Sequence, residues 1–112
     1  MTETCDLVGK KCKPCEGDPP PLSQDEIHRL MNQLGGWVQH DQIISRTFEF
    51  KNYYQTMAFV NAVAWLSHRE DHHPDMKVSY NRCLVEYTTH AIHGLSENDF
   101  ICAAKVNALF AE

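Results

Sequence analysis

Asp71-His-His-Pro-Asp-Met-Lys-Val-Ser-Tyr-Asn-Arg-Cys-Leu-Val-Glu-Tyr-Thr-Thr-His90 decides how the rest of the chain is read. Met76 to Tyr80 and Cys83 to Thr89 are rich in Val, Tyr and Thr, which suit a pleated sheet. Asn81-Arg82 between them is a turn. The stretch therefore predicts two antiparallel strands, with a histidine-rich loop entering the first and His90 at the end of the second. Antiparallel pairing sets the start of one strand beside the end of the other. His72 or His73 can then share a pocket mouth with His90. Pro74 holds His73 extended, and neighbours in an extended segment point opposite ways, so His72 and His73 face different surroundings.

Working outward, Asn52 can cap a helix running to about His68. Its apolar residues Met57, Phe59, Val60, Val63, Ala64 and Leu66 go most of the way round. Such a helix is buried on more than one side, one against the sheet and the other open to a second subunit. Trp37 to Phe50 reads as another hairpin, turned at His40-Asp41-Gln42. Ile44, Phe48 and Phe50 share one face with Arg46 as the exception, and Ser45, Thr47 and Glu49 take the other. Ser23-Gln-Asp-Glu26 fits a capping box. Ile27, Leu30, Met31 and Leu34 follow at helical spacing, and Gly35-Gly36 stops that helix. Ser96-Glu-Asn-Asp99 opens a last helix carrying Phe100, Ile101, Ala104, Val106 and Leu109. The order α-β-β-α-β-β-α predicts an α+β domain over residues 22–112: a four-stranded antiparallel sheet with three helices packed on one face.

Residues 1–21 differ. They hold Cys5, Cys12, Cys15 and Pro19-Pro20-Pro21, with four acidic and three basic side chains. Apolar residues are too few and too aperiodic to bury, which predicts a flexible arm.

A length of 112 residues fits one domain with one core. With 43% apolar and 22% charged residues, the composition excludes a wholly disordered chain. The net charge of −5 argues against a nucleic-acid-coating surface. No stretch reaches the roughly 20 apolar residues of a membrane span, and no secretory signal precedes the domain. A cytoplasmic location is expected, with the five cysteines reduced. Cys12-Lys-Pro-Cys15 is half a zinc knuckle or a redox pair. Cys83 and Cys102 read as small buried apolar residues.

Five of the seven histidines lie between positions 68 and 93. Imidazole exchanges protons near neutral pH, and two or three facing one pocket suit acid–base chemistry on a small polar ring. Three readings of His72, His73 and His90 stay open at this point: catalysts, zinc ligands with Asp or Glu, or surface residues. His28 and His40 read as surface residues, and His93 as a turn residue.

The series His68, His72-His73-Pro74, Tyr80, His90, Asp99 resembles the pterin-4a-carbinolamine dehydratases, as do Gly94-Leu-Ser-Glu97 and Gly36-Trp37. The resemblance runs from about Ser23 to Phe110 and is strongest from His68 to Asp99. The arm with Cys12-x-x-Cys15 looks like the extension of some bacterial members. The resemblance implies dehydration of a 4a-hydroxytetrahydropterin to quinonoid dihydropterin, without metal or organic cofactor. That step recycles tetrahydropterin for an aromatic amino-acid hydroxylase, a functional partner. It implies His72 and His90 as proton donor and acceptor, and His73 as a pterin-binding residue. Asp99 holds a histidine tautomer or stabilises its charged form; it equally suits the first turn of the last helix. The resemblance also implies that Asp71, Thr88, Thr89 and Ala91 grip the pterin edge through their backbone. Trp37 either covers the ring or is a core aromatic. His68, expected among the substrate-binding residues, stands where some members carry an acidic residue. A homodimer or homotetramer is expected. The alternatives are a non-catalytic partner-binding module, or a metal or redox protein using Cys12 and Cys15.

Overall fold

Local signals account for most element boundaries in the computed structural model, which describes residues 7–13 and 20–110. The Ser23 hydroxyl accepts from the Glu26 amide, and the Glu26 carboxylate accepts from the Ser23 amide, which starts α1 (Gln24–Met31). This helix ends sooner than Gly35-Gly36 suggested. From Asn32 the chain tightens into i→i+3 bonds, Gln33 to Leu30 and Leu34 to Met31. Leu34 is still buried. β1 (Val38–His40) and β2 (Ile43–Glu49) flank a two-residue turn with Asp41 at φ 53°. The Asn52 side chain accepts from the Gln55 amide and opens α2 (Tyr53–Glu70). Asp71 closes it in the left-handed conformation, which Asp tolerates better than most residues. β3 (Asp75–Val78), β4 (Arg82–Tyr87), a 3₁₀ turn (His90–Ile92) and α3 (Glu97–Phe110) complete the described chain.

The four strands form one antiparallel sheet in the order β1-β2-β4-β3. The helices cover the face carrying Ile44, Phe48, Cys83, Val85 and Tyr87, all at most 1% exposed. Phe59, Val63, Phe100, Ile101 and Val106 close the core above them. The α+β architecture therefore agrees with the periodicity of the sequence.

Arg46, the exception on the apolar face, lies over the Phe48 ring at 4.5 Å. Its guanidinium donates to the Gly35 carbonyl (3.1 Å) and the Asn107 side-chain oxygen (2.7 Å). Gly36 is required here. Its φ is 89°, and a Cβ would come within 2.8 Å of that guanidinium.

Residues 7–13 correct one expectation. Leu7 is 2% exposed within the core, although the stretch was read as too poor in apolar residues to bury any. A single leucine on helical backbone suffices because polar bonds fasten the segment on either side. The Lys105 ammonium donates to the Val8 carbonyl at 2.7 Å, and the Cys12 amide donates to the Glu70 carboxylate at 2.9 Å. Cys5, Cys15, Pro19 and the rest of 1–6 and 14–19 lie outside the described residues.

On α2, Thr56, Phe59, Val63, Ser67 and Glu70 face inward. Its other side leaves Tyr54 and Trp65 open, at 81% and 63% exposure. Among the described residues no helix is long and apolar enough to cross a membrane.

Candidate active site

The β3–β4 register pairs Asp75 with Glu86, so the loop entering β3 meets the segment leaving β4. That meeting point is a cavity of about 310 Å³, within the range of small-molecule sites. Asp71, His72 and His73 form one wall, and Thr88, Thr89, His90 and Ala91 the facing one. Lys13 and Asn98 close a third side.

Asp99 organises the floor. It is fully buried, and a buried carboxylate needs its oxygens satisfied. One oxygen bonds His72 Nε2 at 2.6 Å. The other accepts from the Thr89 hydroxyl at 2.8 Å and the Ser96 amide at 2.9 Å. The last bond also caps the start of α3, so the helix-start role and the histidine-anchoring role of Asp99 coexist in one side chain. The Thr89 and Ser96 hydroxyls are 2.7 Å apart and complete the network.

His72 sits half-buried between Asp99 and the Tyr87 ring, which stacks on it with centroids 5.7 Å apart and planes 9° apart. Burial alone would push its pKa down, but the hydrogen bond and the charge of Asp99 reverse this and leave it raised. With Nε2 committed to Asp99, Nδ1 is the nitrogen left for other partners. His73 is exposed, and its Nδ1 lies 3.3 Å from the Pro74 carbonyl. The carbonyl can only accept, so Nδ1 carries the proton in that contact. His72 and His73 thus occupy different surroundings.

His90 is exposed at the head of the 3₁₀ turn. The Thr89–Gly94 bridge pins this turn, Thr89 and Gly94 each donating its amide to the other's carbonyl (3.0 and 3.3 Å). A Cβ on Gly94 would lie 2.6 Å from Pro21 Cβ, so only glycine lets the chain pass this closely. The Thr88 hydroxyl donates to the Gln42 carbonyl at 2.6 Å, tying β4 to the first hairpin.

Two residues singled out from the sequence stand away from the cavity. Trp37 is 5% exposed and packs against Phe48 and Tyr87. Its indole N–H donates to Asn107 at 2.8 Å. Of the two roles expected for Trp37, these contacts give it that of a core aromatic and not of a cover for a bound ring. His68 is exposed on α2 and lies beside Trp65, ring centroids 5.3 Å apart and planes tilted by 33°, outside the cavity lining. Conversely, Lys13 and Asn98 line the cavity without having been singled out. They are joined by two bonds, Lys13 amide to Asn98 Oδ1 (3.0 Å) and Asn98 Nδ2 to Lys13 carbonyl (2.6 Å). No local pattern announces a contact between positions 85 residues apart.

Cys83 and Cys102 are buried, as read from the sequence. Among the described residues, no three His, Cys, Asp or Glu side chains group closely enough to hold a metal ion. The cavity presents imidazoles on opposite walls.

A family profile described as pterin 4 alpha carbinolamine dehydratase matches residues 20–109. A protein of Nitrosomonas eutropha, provisionally named pterin-4-alpha-carbinolamine dehydratase, is 71% identical over 97% of both chains. Among solved structures, a transcriptional coactivator/pterin dehydratase from Brucella melitensis is similar at a TM-score of 0.76 and 33% identity. It covers 80% of this chain and 98% of its own. A pterin dehydratase-like protein identified as a RuBisCO assembly factor of the alpha-carboxysome is similar at a TM-score of 0.59 and 26% identity. It covers 69% of this chain and 92% of its own.

Proposed function

The chain belongs to the pterin-4-alpha-carbinolamine dehydratase family, and from that membership we propose that its cavity dehydrates a 4a-hydroxytetrahydropterin to quinonoid dihydropterin. The observation that carries this reading is the placement of His72, His73 and His90 around one cavity, with His72 anchored on the buried Asp99. Hydroxide leaves a carbon poorly unless protonated, and the ring N–H must lose a proton as the C–O bond breaks. Each transfer suits an imidazole and contributes on the order of a hundredfold or more.

The electrostatics suggest a division of labour. His72, whose protonated form Asp99 favours, gives its proton to the departing hydroxyl, which leaves as water. His90 on the facing wall takes the ring proton. His73 binds the pterin through Nε2. Backbone groups of Asp71–His73 and Thr88–Ala91 hold the amide and amino edge of the ring, with Lys13 and Asn98 bounding the third side. Donor and acceptor are then restored by one proton exchange with solvent. The product would return to tetrahydropterin by reduction, serving an aromatic amino-acid hydroxylase. A second copy of the chain is proposed to cover Tyr54 and Trp65 on α2, giving a dimer or tetramer.

The test is the ultraviolet decay of 4a-hydroxytetrahydropterin against its spontaneous rate. Acceleration by the wild type, lost in His90→Ala, is expected. A well-folded wild-type protein that adds nothing to the spontaneous rate would overturn the reading in favour of a partner-binding role.

A further inference from the structure

The sequence suggested pairing Cys12 with Cys15; the fold brings Cys12 to a different cysteine. Its sulfur lies 3.4 Å from that of Cys102, across 90 positions of sequence. A disulfide needs about 2.05 Å, so only a small closure separates contact from bond. The Cys12 backbone is fixed independently of its sulfur. Its amide donates to the buried Glu70 carboxylate, and the next residue, Lys13, is doubly bonded to Asn98. Cys102 is rigid within α3, with no exposed surface. Its Sγ lies 3.9 Å from the His72 carbonyl oxygen. The pair thus sits directly behind the cavity wall.

We propose that Cys12 and Cys102 are an oxidisable dithiol, which a hydroperoxide converts to a disulfide locking residues 7–13 onto α3 beside the cavity. Of the two thiols Cys102 is the one whose deprotonation is favoured, because its thiolate accepts the Cys12 S–H, an effect that outweighs burial; its proton is the first to leave. Cys12 is pushed up in turn by that bond, by burial and by the charges of Cys102 and Glu70. The Cys12 sulfur, the one nearer solvent, attacks the outer peroxide oxygen as its proton passes across the short gap to the Cys102 thiolate. The O–O bond breaks, the alkoxide leaves and takes up the proton first released, and Cys12 becomes a sulfenic acid. The Cys102 sulfur displaces its hydroxyl, which departs as water with the Cys102 proton. In sum, two thiols lose two electrons, and the hydroperoxide becomes an alcohol, or water from hydrogen peroxide, plus water. Reduction by a dithiol reverses the change.

The test treats the full chain with stoichiometric hydrogen peroxide, blocks residual thiols and maps linked peptides by mass spectrometry. The expected product is a monomeric chain lighter by two hydrogen atoms, with the Cys12 and Cys102 peptides joined and released by dithiothreitol. The same product is expected from Cys15→Ser, and none from Cys12→Ser. A Cys12–Cys15 link, a link only between chains, or oxidation beyond sulfenic acid without a crosslink would overturn the proposal. Because wild type and the Cys15→Ser chain carry the decision, it does not depend on the folding of a Cys102 variant.

Discussion

The two ends of the helix–sheet layer are built in opposite ways. At one end, Phe50, Phe59, Leu109 and Phe110 line an apolar groove of about 470 Å³, the larger of the two cavities. Phe48, Phe59 and Phe110 pack there with ring centroids 4.7–6.4 Å apart. At the other end, the smaller cavity is walled by histidines, threonines and Lys13, over a carboxylate with every oxygen bonded. The apolar end is held by non-directional burial, which tolerates small shifts. The polar end is held by directional bonds that fix one imidazole nitrogen and leave the other available. Chemistry follows the end where titratable groups converge.

Substitutions at each end should separate activity from stability. The largest effects are expected at the polar end. His72→Ala or His90→Ala should lower the dehydration rate by about 10²–10⁴-fold; His90→Ala, at an exposed position, should do so with little change in unfolding free energy, whereas His72→Ala also strips the buried Asp99 of a partner and costs stability, read by steady-state kinetics and urea melts. Phe48→Ala should do the reverse. It should cost about 3–5 kcal/mol of stability, while molecules still folded at low temperature keep most of their rate. If Phe48→Ala abolished activity without loss of stability, the division between the two ends would fail.

A third experiment sharpens the role of Asp99. His72 is held above its ordinary pKa of 6.5 in the fold, so protonation favours the folded state. That contribution is complete below pH 6.5 and is lost as pH rises through the folded value. In Asp99→Asn the upward pull on His72 disappears. The pH–rate profile should shift to lower pH on its His72 limb, and part of the loss of stability toward alkaline pH should vanish. An unshifted profile would show that Asp99 serves only the start of α3. Lys13→Ala should raise KM by several-fold, on the order of 1 kcal/mol of binding, with kcat unchanged. Ser23→Ala, remote from the cavity, should cost about 1 kcal/mol of stability and leave kcat/KM unaltered.

Much of this contrast was legible before the fold was known. Alternation along β2 and the caps at Ser23 and Asn52 are local signals, and locality is what a single sequence carries. The meeting of His72 and His73 with His90 follows from hairpin geometry once β3 and β4 are recognised. What escaped depends on long-range packing. Leu7 is one leucine in a polar stretch. Lys13 reaches the cavity only because Asn98 and Glu70 hold the segment in place. Trp37 has the composition of a ligand-covering aromatic, and only its contact with Asn107 and the core assigns it to structure. Cys12 has a nearby partner in sequence at Cys15, whereas the fold presents it to Cys102.

The most direct test of the central claim follows the decay of 4a-hydroxytetrahydropterin in the presence of EDTA, comparing wild type with His72→Ala and His90→Ala. The account predicts acceleration over the spontaneous rate by wild type, unaffected by the chelator and lost in both variants. Loss of wild-type acceleration on chelation, or variants that match wild type, would contradict histidine acid–base catalysis in this cavity.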